Sequence, residues 1–151
     1  MEMVMTVSVQ FVAPMVALIA WTLVMWLWMY ATRLPAMRAA RMKPDSNAPR
    51  GEQMSLLPAQ VRWKADNYNH LLEQPTLFYA LAASLALLGV ESQVGLLFAW
   101  VYVVLRIVHS FVQALVNKIE IRFLLFALSN IPLFALTYLA AVALWDIHGI
   151  G

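Results

Sequence analysis

The chain has 151 residues, of which 63% are hydrophobic and 12% are charged, and its formal net charge is +2. Soluble domains usually carry about twice that charged fraction, so the composition excludes an ordinary soluble protein and indicates a membrane protein of one domain. Cysteine is absent, which excludes a disulfide framework, a thiolate metal site and a cysteine nucleophile.

Four segments are long and apolar enough to cross the hydrocarbon core of a bilayer, which takes about 20 helical residues. Only helices satisfy the backbone of such segments within lipid, so the sequence predicts an all-α bundle of four transmembrane helices in one domain over 1–151. Residues 1–10 contain no Lys or Arg, so the first segment is predicted to be a retained span and not a cleaved signal peptide. The predicted spans are about 9–31, 68–89, 94–116 and 121–145.

A polar connection at about residues 32–60 follows the first span. It contains four prolines, the last of them Pro58, and is predicted to be a loop without a domain of its own. The second helix is expected to begin near Pro58, in water, before it enters the membrane. The other connections, residues 90–93 and 117–120, are so short that spans two, three and four are expected to be antiparallel neighbours.

The basic residues are unevenly distributed along the chain. Because cytoplasmic loops carry an excess of Lys and Arg, we expect the first and third connections to be cytoplasmic and both termini to face outward. The compact, leaderless sequence suits a bacterial inner membrane. In or beside the first connection lie Arg33, Arg38, Arg41, Lys43, Arg50, Arg62 and Lys64, and beside the third lie Lys118 and Arg122.

The predicted spans contain polar side chains at helical spacing. Such groups are costly in a membrane and mark functional sites when they face protein or water. Patterns for a phosphate-binding loop, a serine-hydrolase elbow or a zinc site are absent from the sequence, and no metal is expected. The polar groups are Asp66, Asn69, His70 and Glu73 in span two; Arg106, His109, Ser110, Gln113 and Asn117 in span three; and Arg122, Ser129 and Asn130 in span four.

The depths of these groups indicate which of them can meet. With a rise of about 1.5 Å per residue, Glu73 lies about 8 Å inside span two and Arg106 about 16 Å from the end of span three. Both fall in the same half of the membrane, so we predict that Glu73 pairs with Arg106 or His109. Such a pair either only fixes the packing register of two helices or belongs to a functional site, and the number of neighbouring polar groups favours the site.

Pro75 comes two residues after Glu73. Since proline has no N–H, the carbonyl of Leu71 loses its helical partner, and we expect the second helix to bend there. Either the bend opens a pocket beside the carboxylate, or Pro75 has no functional role, since membrane helices tolerate proline.

Two segments carry a family resemblance. Residues 69–78, NHLLEQPTLF, and 106–113, RIVHSFVQ, resemble the MAPEG family, the membrane-associated proteins in eicosanoid and glutathione metabolism. The likeness extends over about residues 60–145. It implies four transmembrane helices, a long cytoplasmic first connection and outward termini, in agreement with the pattern of apolar and basic residues.

The resemblance also implies a homotrimer with three glutathione sites at the subunit interfaces, open to the cytoplasm. Arg122 would stabilise the glutathione thiolate, and Glu73 would take the γ-glutamyl ammonium. Gln113 stands where the family commonly has Tyr, and His70 where it usually has Asn. The residues implied to bind glutathione are Arg33, Arg62, Asn69, His70, Glu73, Arg106, His109 and Gln113.

The implied function is that of a glutathione-dependent transferase or peroxidase acting on lipophilic electrophiles or lipid hydroperoxides. The apolar co-substrate would enter from the lipid between spans one and four of adjacent subunits. An alternative is a non-catalytic lipid-binding or scaffold protein on the same fold. A small transporter ranks third, because the sequence has no internal repeat. The expected partners are membrane lipid or a lipophilic small molecule, and no nucleic acid.

Overall fold

A computed structural model describes residues 7–49 and 51–148 of the chain. Within these residues the protein is helical and contains no strand, which confirms the predicted all-α fold. Arg50, one of the basic residues used to predict the orientation, lies outside the described residues. The helices are α1 (Val12–Ala39), α2 (Glu52–Ser55), α3 (Ala59–Glu73), α4 (Pro75–Leu87), α5 (Gln93–Phe111), a π-helical segment (Val112–Val116) and α6 (Ile119–His148).

Three stretches of helix are long and apolar enough to cross a membrane, and they mark the chain as an integral membrane protein. They are Val12–Ala39, Gln93–Val116 and Ile119–Ile147, and they coincide with predicted spans one, three and four. In the first and last, only 28% of the most apolar window is buried. Most of their apolar side chains therefore point outward, as expected of side chains in contact with lipid.

Two helices share the predicted second span. The helix α3 ends at Glu73 and α4 begins at Pro75, while Gln74 between them keeps helical dihedral angles of φ −62° and ψ −38°. The sequence predicted a bend at this point; the structure shows that one helix ends and the next begins there, because the Pro75 nitrogen carries no hydrogen to donate to the carbonyl of Leu71. Since the dihedral angles stay helical, the two helices follow one another along one path.

The first helix is longer than the span it was predicted to form. It continues through Pro35 to Ala39, well past the predicted end near residue 31. The added turns contain Ala, Met and Arg, which are good helix formers, and Arg38 in the last turn interacts favourably with the C-terminal end of the helix dipole. The helix of span one thus extends into what was predicted to be loop.

The helices pack around one apolar core. α1 contacts α3, α4 and α5, while α6 contacts α4 and α5. At the centre Phe78 of α4 stacks on Tyr102 of α5 with ring centroids 4.6 Å apart, and Leu18 of α1 and Leu136 of α6 are buried there as well. α3 has no comparable packing against α6, so a cleft opens between these two helices beside the core.

Candidate functional site

Arg106 is the largest fully buried side chain among the described residues. It lies on the inner face of α5, at 0% exposure, and reaches across to the end of α3. Its Nη2 donates a hydrogen bond of 2.9 Å to the carbonyl of His70, and its Nη1 donates one of 3.3 Å to Oε1 of Gln74. Arg106 therefore joins α5 to the point where the second-span helix is interrupted.

Gln74 connects three helices at that point. Its Oε1 accepts hydrogen bonds from Arg106 and from Oγ of Ser129, and its Nε2 donates to Oδ1 of Asn130 at 2.7 Å. Sequence reasoning missed this residue, although it lies four residues after His70, on the same face of the helix. A polar residue directly before a proline inside an apolar segment was the available signal.

The predicted pairing of Glu73 with Arg106 or His109 is wrong. Glu73 points away from the core with a side chain that is 71% exposed, and its Oε2 lies 3.3 Å from Nδ1 of His70. The neighbouring Gln74 takes the inward position instead. Successive residues on a helix are rotated by about 100°, so only one of these two side chains can face α5.

The two predicted histidines meet at the wall of a cleft. His109 of α5 is 2% exposed, and its ring centroid lies 5.0 Å from that of His70 on α3. His70 also stacks on Phe126 of α6, with centroids 5.3 Å apart. Nδ1 of His109 has no hydrogen-bond partner among the described residues. The cleft, called the polar cleft below, has a volume of about 380 Å³ and is lined by His70, His109, Ile119, Arg122, Phe123 and Phe126.

Arg122 supplies the permanent charge of the polar cleft. Its Nη1 donates a hydrogen bond of 2.6 Å to Oδ1 of Asn117, and its Nε is buried without a partner in the described part of the chain. Among the described residues this acceptor is a neutral amide and no carboxylate forms an ion pair with Arg122, so no negative charge offsets the guanidinium there. The lining contains no carboxylate. The cleft thus combines a cation, two imidazoles and apolar rings, a set that suits an anion with an apolar partner beside it.

Three other predicted site residues lie in a second cleft. Arg33 of α1, Arg62 and Asn69 of α3 contribute to a cavity of about 340 Å³ beside the short helix α2, which we call the loop cleft. Its basic side chains stand near one carboxylate, Asp66. The full lining is Arg33, Gly51, Met54, Ser55, Arg62, Ala65, Asp66 and Asn69.

A polar stripe lies on the exposed face of α3 and includes part of the loop-cleft lining. Arg62, Asp66, Asn69 and Glu73 are spaced by four, three and four residues, which places them on one face, and all four are exposed. This is the face that the sequence predicted. In a single copy of the chain the predicted site residues are therefore divided: some line the polar cleft or the loop cleft, Glu73 lies on the exposed stripe, and Arg106 and Gln113 are buried outside both linings.

Gln113 does not line either cleft. It belongs to the π-helical segment, is 2% exposed, and its Oε1 has no hydrogen-bond partner among the residues described. The π-helical segment itself was not predicted. It ends at Asn117, which has a left-handed backbone (φ 54°) and whose N–H donates to the carbonyl of Val112.

Lys64 holds the π-helical segment against α3. This side chain, which precedes the predicted second span, is 8% exposed and donates from Nζ to the carbonyls of Gln60 at 2.8 Å and Ala114 at 3.2 Å. It also lies over the ring of Trp28 at 5.2 Å, a cation–π contact. Burial lowers the pKa of the Lys64 ammonium below its ordinary value of 10.5, because it removes water from the charged form.

A third cavity lies between α4 and α6. This apolar groove has a volume of about 380 Å³. It meets the polar region at Asn130, which lines the groove and accepts the hydrogen bond from Gln74. The groove is lined by Leu77, Ala80, Leu81, Ser84, Asn130, Leu133, Phe134 and Thr137.

Comparison with known proteins gives one match. The sequence model of the MAPEG family matches residues 11–142, which is most of the chain. Searches of the curated proteins and of the solved structures found no match. The matched range includes every predicted site residue and all three cavities.

Proposed function

The chain belongs to the MAPEG family, and on that premise we propose that it is a glutathione-dependent membrane transferase or peroxidase. Its second substrate would be a lipophilic electrophile or a lipid hydroperoxide. The observation that carries the proposal is the polar cleft, where the un-neutralised Arg122 guanidinium lies beside His70 and His109 and next to apolar rings. A thiolate needs such a cation, and a lipophilic co-substrate needs such rings.

The proposed topology has four membrane crossings. α4 has 13 residues, about 20 Å of helix, which is shorter than a hydrocarbon core of about 30 Å. Together with the last turns of α3, which follow the same path through Gln74, it reaches the required length. The positive-inside rule then puts both termini outside and opens the polar cleft to the cytoplasm, and a bacterial inner membrane is the proposed location.

The proposed assembly is a homotrimer, as is typical of the family. In one copy the stripe residues Arg62, Asp66 and Asn69 line the loop cleft, while Glu73 lies beside His70 of the polar cleft. We propose that a neighbouring copy docks along this stripe, so that the loop cleft of one copy and the polar cleft of the next form one site. Native mass spectrometry in mild detergent tests this directly, with a trimer as the expected species and a monomer or dimer as the contrary result.

The proposed binding roles follow the charges. Arg33 and Arg62 would bind the two carboxylates of glutathione, with bidentate geometry available to each guanidinium, while Glu73 would bind its ammonium group. Asn69 would add a hydrogen bond to the peptide. Arg106 and Gln113 are buried and line neither cleft, and Arg106 binds the carbonyl of His70, so we assign both to a supporting role and not to direct contact.

In the proposed chemistry Arg122 stabilises the thiolate of glutathione, and the thiol proton leaves to water through the open cleft. In the transferase reaction a sulfur–carbon bond forms and the leaving group departs with the bonding electrons. In the peroxidase reaction the thiolate sulfur attacks the terminal peroxide oxygen and the O–O bond breaks, giving a sulfenic acid and an alkoxide, which takes a proton from water to become the alcohol. A second glutathione then reduces that acid, which yields glutathione disulfide and water.

The experiment compares glutathione binding and conjugation of a general electrophile in the wild type, Arg122→Ala and Arg38→Ala. Arg38 is an exposed arginine outside both clefts, so its variant controls for the loss of one positive charge. We expect turnover to fall by about a hundredfold or more in Arg122→Ala and to stay unchanged in Arg38→Ala. If wild-type protein neither binds glutathione nor is stabilised by it, the proposed function fails.

The apolar groove favours a second candidate, a non-catalytic lipid-binding protein. The groove could hold an acyl chain whether or not the polar cleft performs chemistry. Ala80→Leu narrows the groove, while Ala127→Leu adds the same bulk on α6 outside it. The lipid-binding function is favoured over the enzymatic one by two results together. The protein would bind glutathione without conjugating it, and only Ala80→Leu would weaken the binding of a spin-labelled fatty acid.

A further inference from the structure

The hydrogen bond between Asn117 and Arg122 depends on an unusual backbone. Asn117 has φ 54° and ψ 30°, in the left-handed region, directly after the π-helical segment. Few residues other than Gly adopt this conformation readily, and Asn is one of them. From there its Oδ1 reaches Nη1 of Arg122 at 2.6 Å, across the turn into α6. The backbone conformation therefore places the acceptor.

The π-helical segment that places Asn117 is itself held by a tertiary contact. A π-helical turn takes in an additional residue, so the residues that follow it are rotated relative to an uninterrupted α-helix. The carbonyl of Ala114 in this segment accepts a hydrogen bond from Lys64, which reaches across from α3. The hydrogen bond from Lys64 on α3 thus fixes the end of the π-helical segment, and it thereby fixes the position of Asn117.

The chemistry of the acceptor matters for the cleft. A guanidinium offers five N–H donors, and one amide oxygen uses a single one of them without adding negative charge. Arg122 consequently remains a full cation, with its Nε free of any partner in the described structure. A carboxylate at the same position would form a similar bond but would cancel the charge on which an anion depends.

From these observations we infer that Asn117 is a positioning residue, which fixes the Arg122 guanidinium beside the polar cleft through a neutral acceptor and leaves its charge for an anionic ligand. The inference rests on the proposed function only for the identity of that anion, the thiolate of glutathione. The positioning of Arg122 can be measured without glutathione.

The experiment uses Asn117→Gly and Asn117→Asp in the full-length protein. Gly accepts the left-handed backbone without strain and lacks the acceptor, while Asp keeps the acceptor and adds a charge. The first readout is the rate at which phenylglyoxal modifies Arg122, measured by peptide mass spectrometry with exposed Arg38 as internal reference. We expect Asn117→Gly to raise this rate about fivefold or more, because the guanidinium loses its partner, and Asn117→Asp to leave it at or below that of the wild type.

The second readout is the pKa of bound glutathione, followed by its thiolate absorbance. We expect Asn117→Asp to raise this pKa by about one unit or more, since the new carboxylate offsets the guanidinium charge. A residue with a merely structural role would not give this pattern, in which Asp preserves the protection of Arg122 while it raises the thiol pKa.

The positioning of Arg122 by Asn117 and the proposed glutathione chemistry can fail independently. If Asn117→Gly leaves the labelling of Arg122 unchanged relative to Arg38, the positioning role is refuted, whatever glutathione does. If the labelling changes as expected but wild-type protein forms no thiolate, the positioning of Arg122 stands and the proposed function fails. If Asn117→Asp labels as fast as Asn117→Gly, the side-chain acceptor is not what holds Arg122, and the inference is overturned.

Discussion

The polar cleft and the apolar groove have nearly the same volume, about 380 Å³ each, yet they are built by opposite means. Both use α6 for one wall and the second-span helices for another. The polar cleft is framed by directed hydrogen bonds such as those of Arg106 and Arg122, whereas the groove is framed by packed apolar side chains. The boundary between them is the interruption at Gln74.

The interface of α3 and α4 with α6 therefore contains two different environments. The hydrogen bonds of Gln74 tie α3, α5 and α6 together just where the helix is interrupted at Pro75. On one side of this junction α3 and α6 lie apart and leave a charged cleft, and on the other α4 packs on α6. We therefore expect substitutions in the polar region to act through unsatisfied hydrogen bonds, and those in the apolar region through steric fit.

The largest effect on stability is expected from Arg106→Leu. The substitution leaves the His70 carbonyl and the Gln74 side chain without a charged donor in a buried site, and we expect a loss of about 3 kcal/mol in the free energy of unfolding. Denaturation in mixed micelles measures it, with Arg38→Leu on the exposed end of α1 as the control. Equal stability of the two variants would mean that the Arg106 hydrogen bonds do not hold the polar region together.

Gln74→Leu is expected to have the next largest effect, about 2 kcal/mol, because it removes the acceptor of Arg106 and Ser129 and the donor to Asn130. Gln60→Leu makes the same chemical change at an exposed position of α3 and serves as the control. The same unfolding assay applies. If Gln74→Leu is as stable as the wild type, the hydrogen bonds of Gln74 do not hold the boundary between the polar cleft and the apolar groove.

Outside both cavities, where α5 packs on α6 through apolar side chains, the corresponding substitution is Gly95→Ala. A Cβ at this position on α5 would lie 2.6 Å from Cδ2 of Leu139 and 3.2 Å from Cζ of Phe11. Because the closest atom ends a flexible side chain, we expect a loss of about 1 kcal/mol. A double-mutant cycle with Leu139→Ala tests the cause, since the cost of Gly95→Ala should shrink in that background. An unchanged cost would exclude steric fit as the reason.

The smallest effect concerns pH and Lys64. Since burial lowers the pKa of this ammonium in the folded protein, the unfolded chain binds more protons between that lowered pKa and the ordinary value of 10.5. Stability should therefore rise with pH across this window. Lys64→Met should show a shallower rise in the same unfolding assay between about pH 8 and pH 10. Identical pH profiles would contradict the burial of a charged Lys64.

Most of the fold could be predicted from the sequence, because apolar runs of membrane length leave few alternatives to helices. The interruption at Pro75 followed from the chemistry of a missing N–H. The continuation of α1 to Ala39 was not predicted, because Pro35 indicates a loop whereas the residues around it favour helix. The π-helical segment was also missed, since it depends on the contact of Lys64 with Ala114, which are distant in sequence.

For the candidate site, the sequence could not resolve which side chains of the helices face inward. His70, His109 and Arg122 meet in one cleft, as their spacing and the family resemblance implied. Glu73 and Gln74 are adjacent polar residues, and helical periodicity alone does not say which of them faces α5. The position of the interruption and the packing of α5 decide in favour of Gln74, and both are properties of the folded chain.

The central claim is that Arg122 makes the polar cleft a thiolate site, and a pH titration of bound glutathione tests it most directly. The ultraviolet absorbance of the thiolate would be followed in wild type, Arg122→Ala and Arg38→Ala. We predict that wild type and Arg38→Ala lower the thiol pKa by at least about one unit from its ordinary value near 8.5, and that Arg122→Ala restores that value. Bound glutathione with the same thiol pKa in wild type and Arg122→Ala would contradict the account.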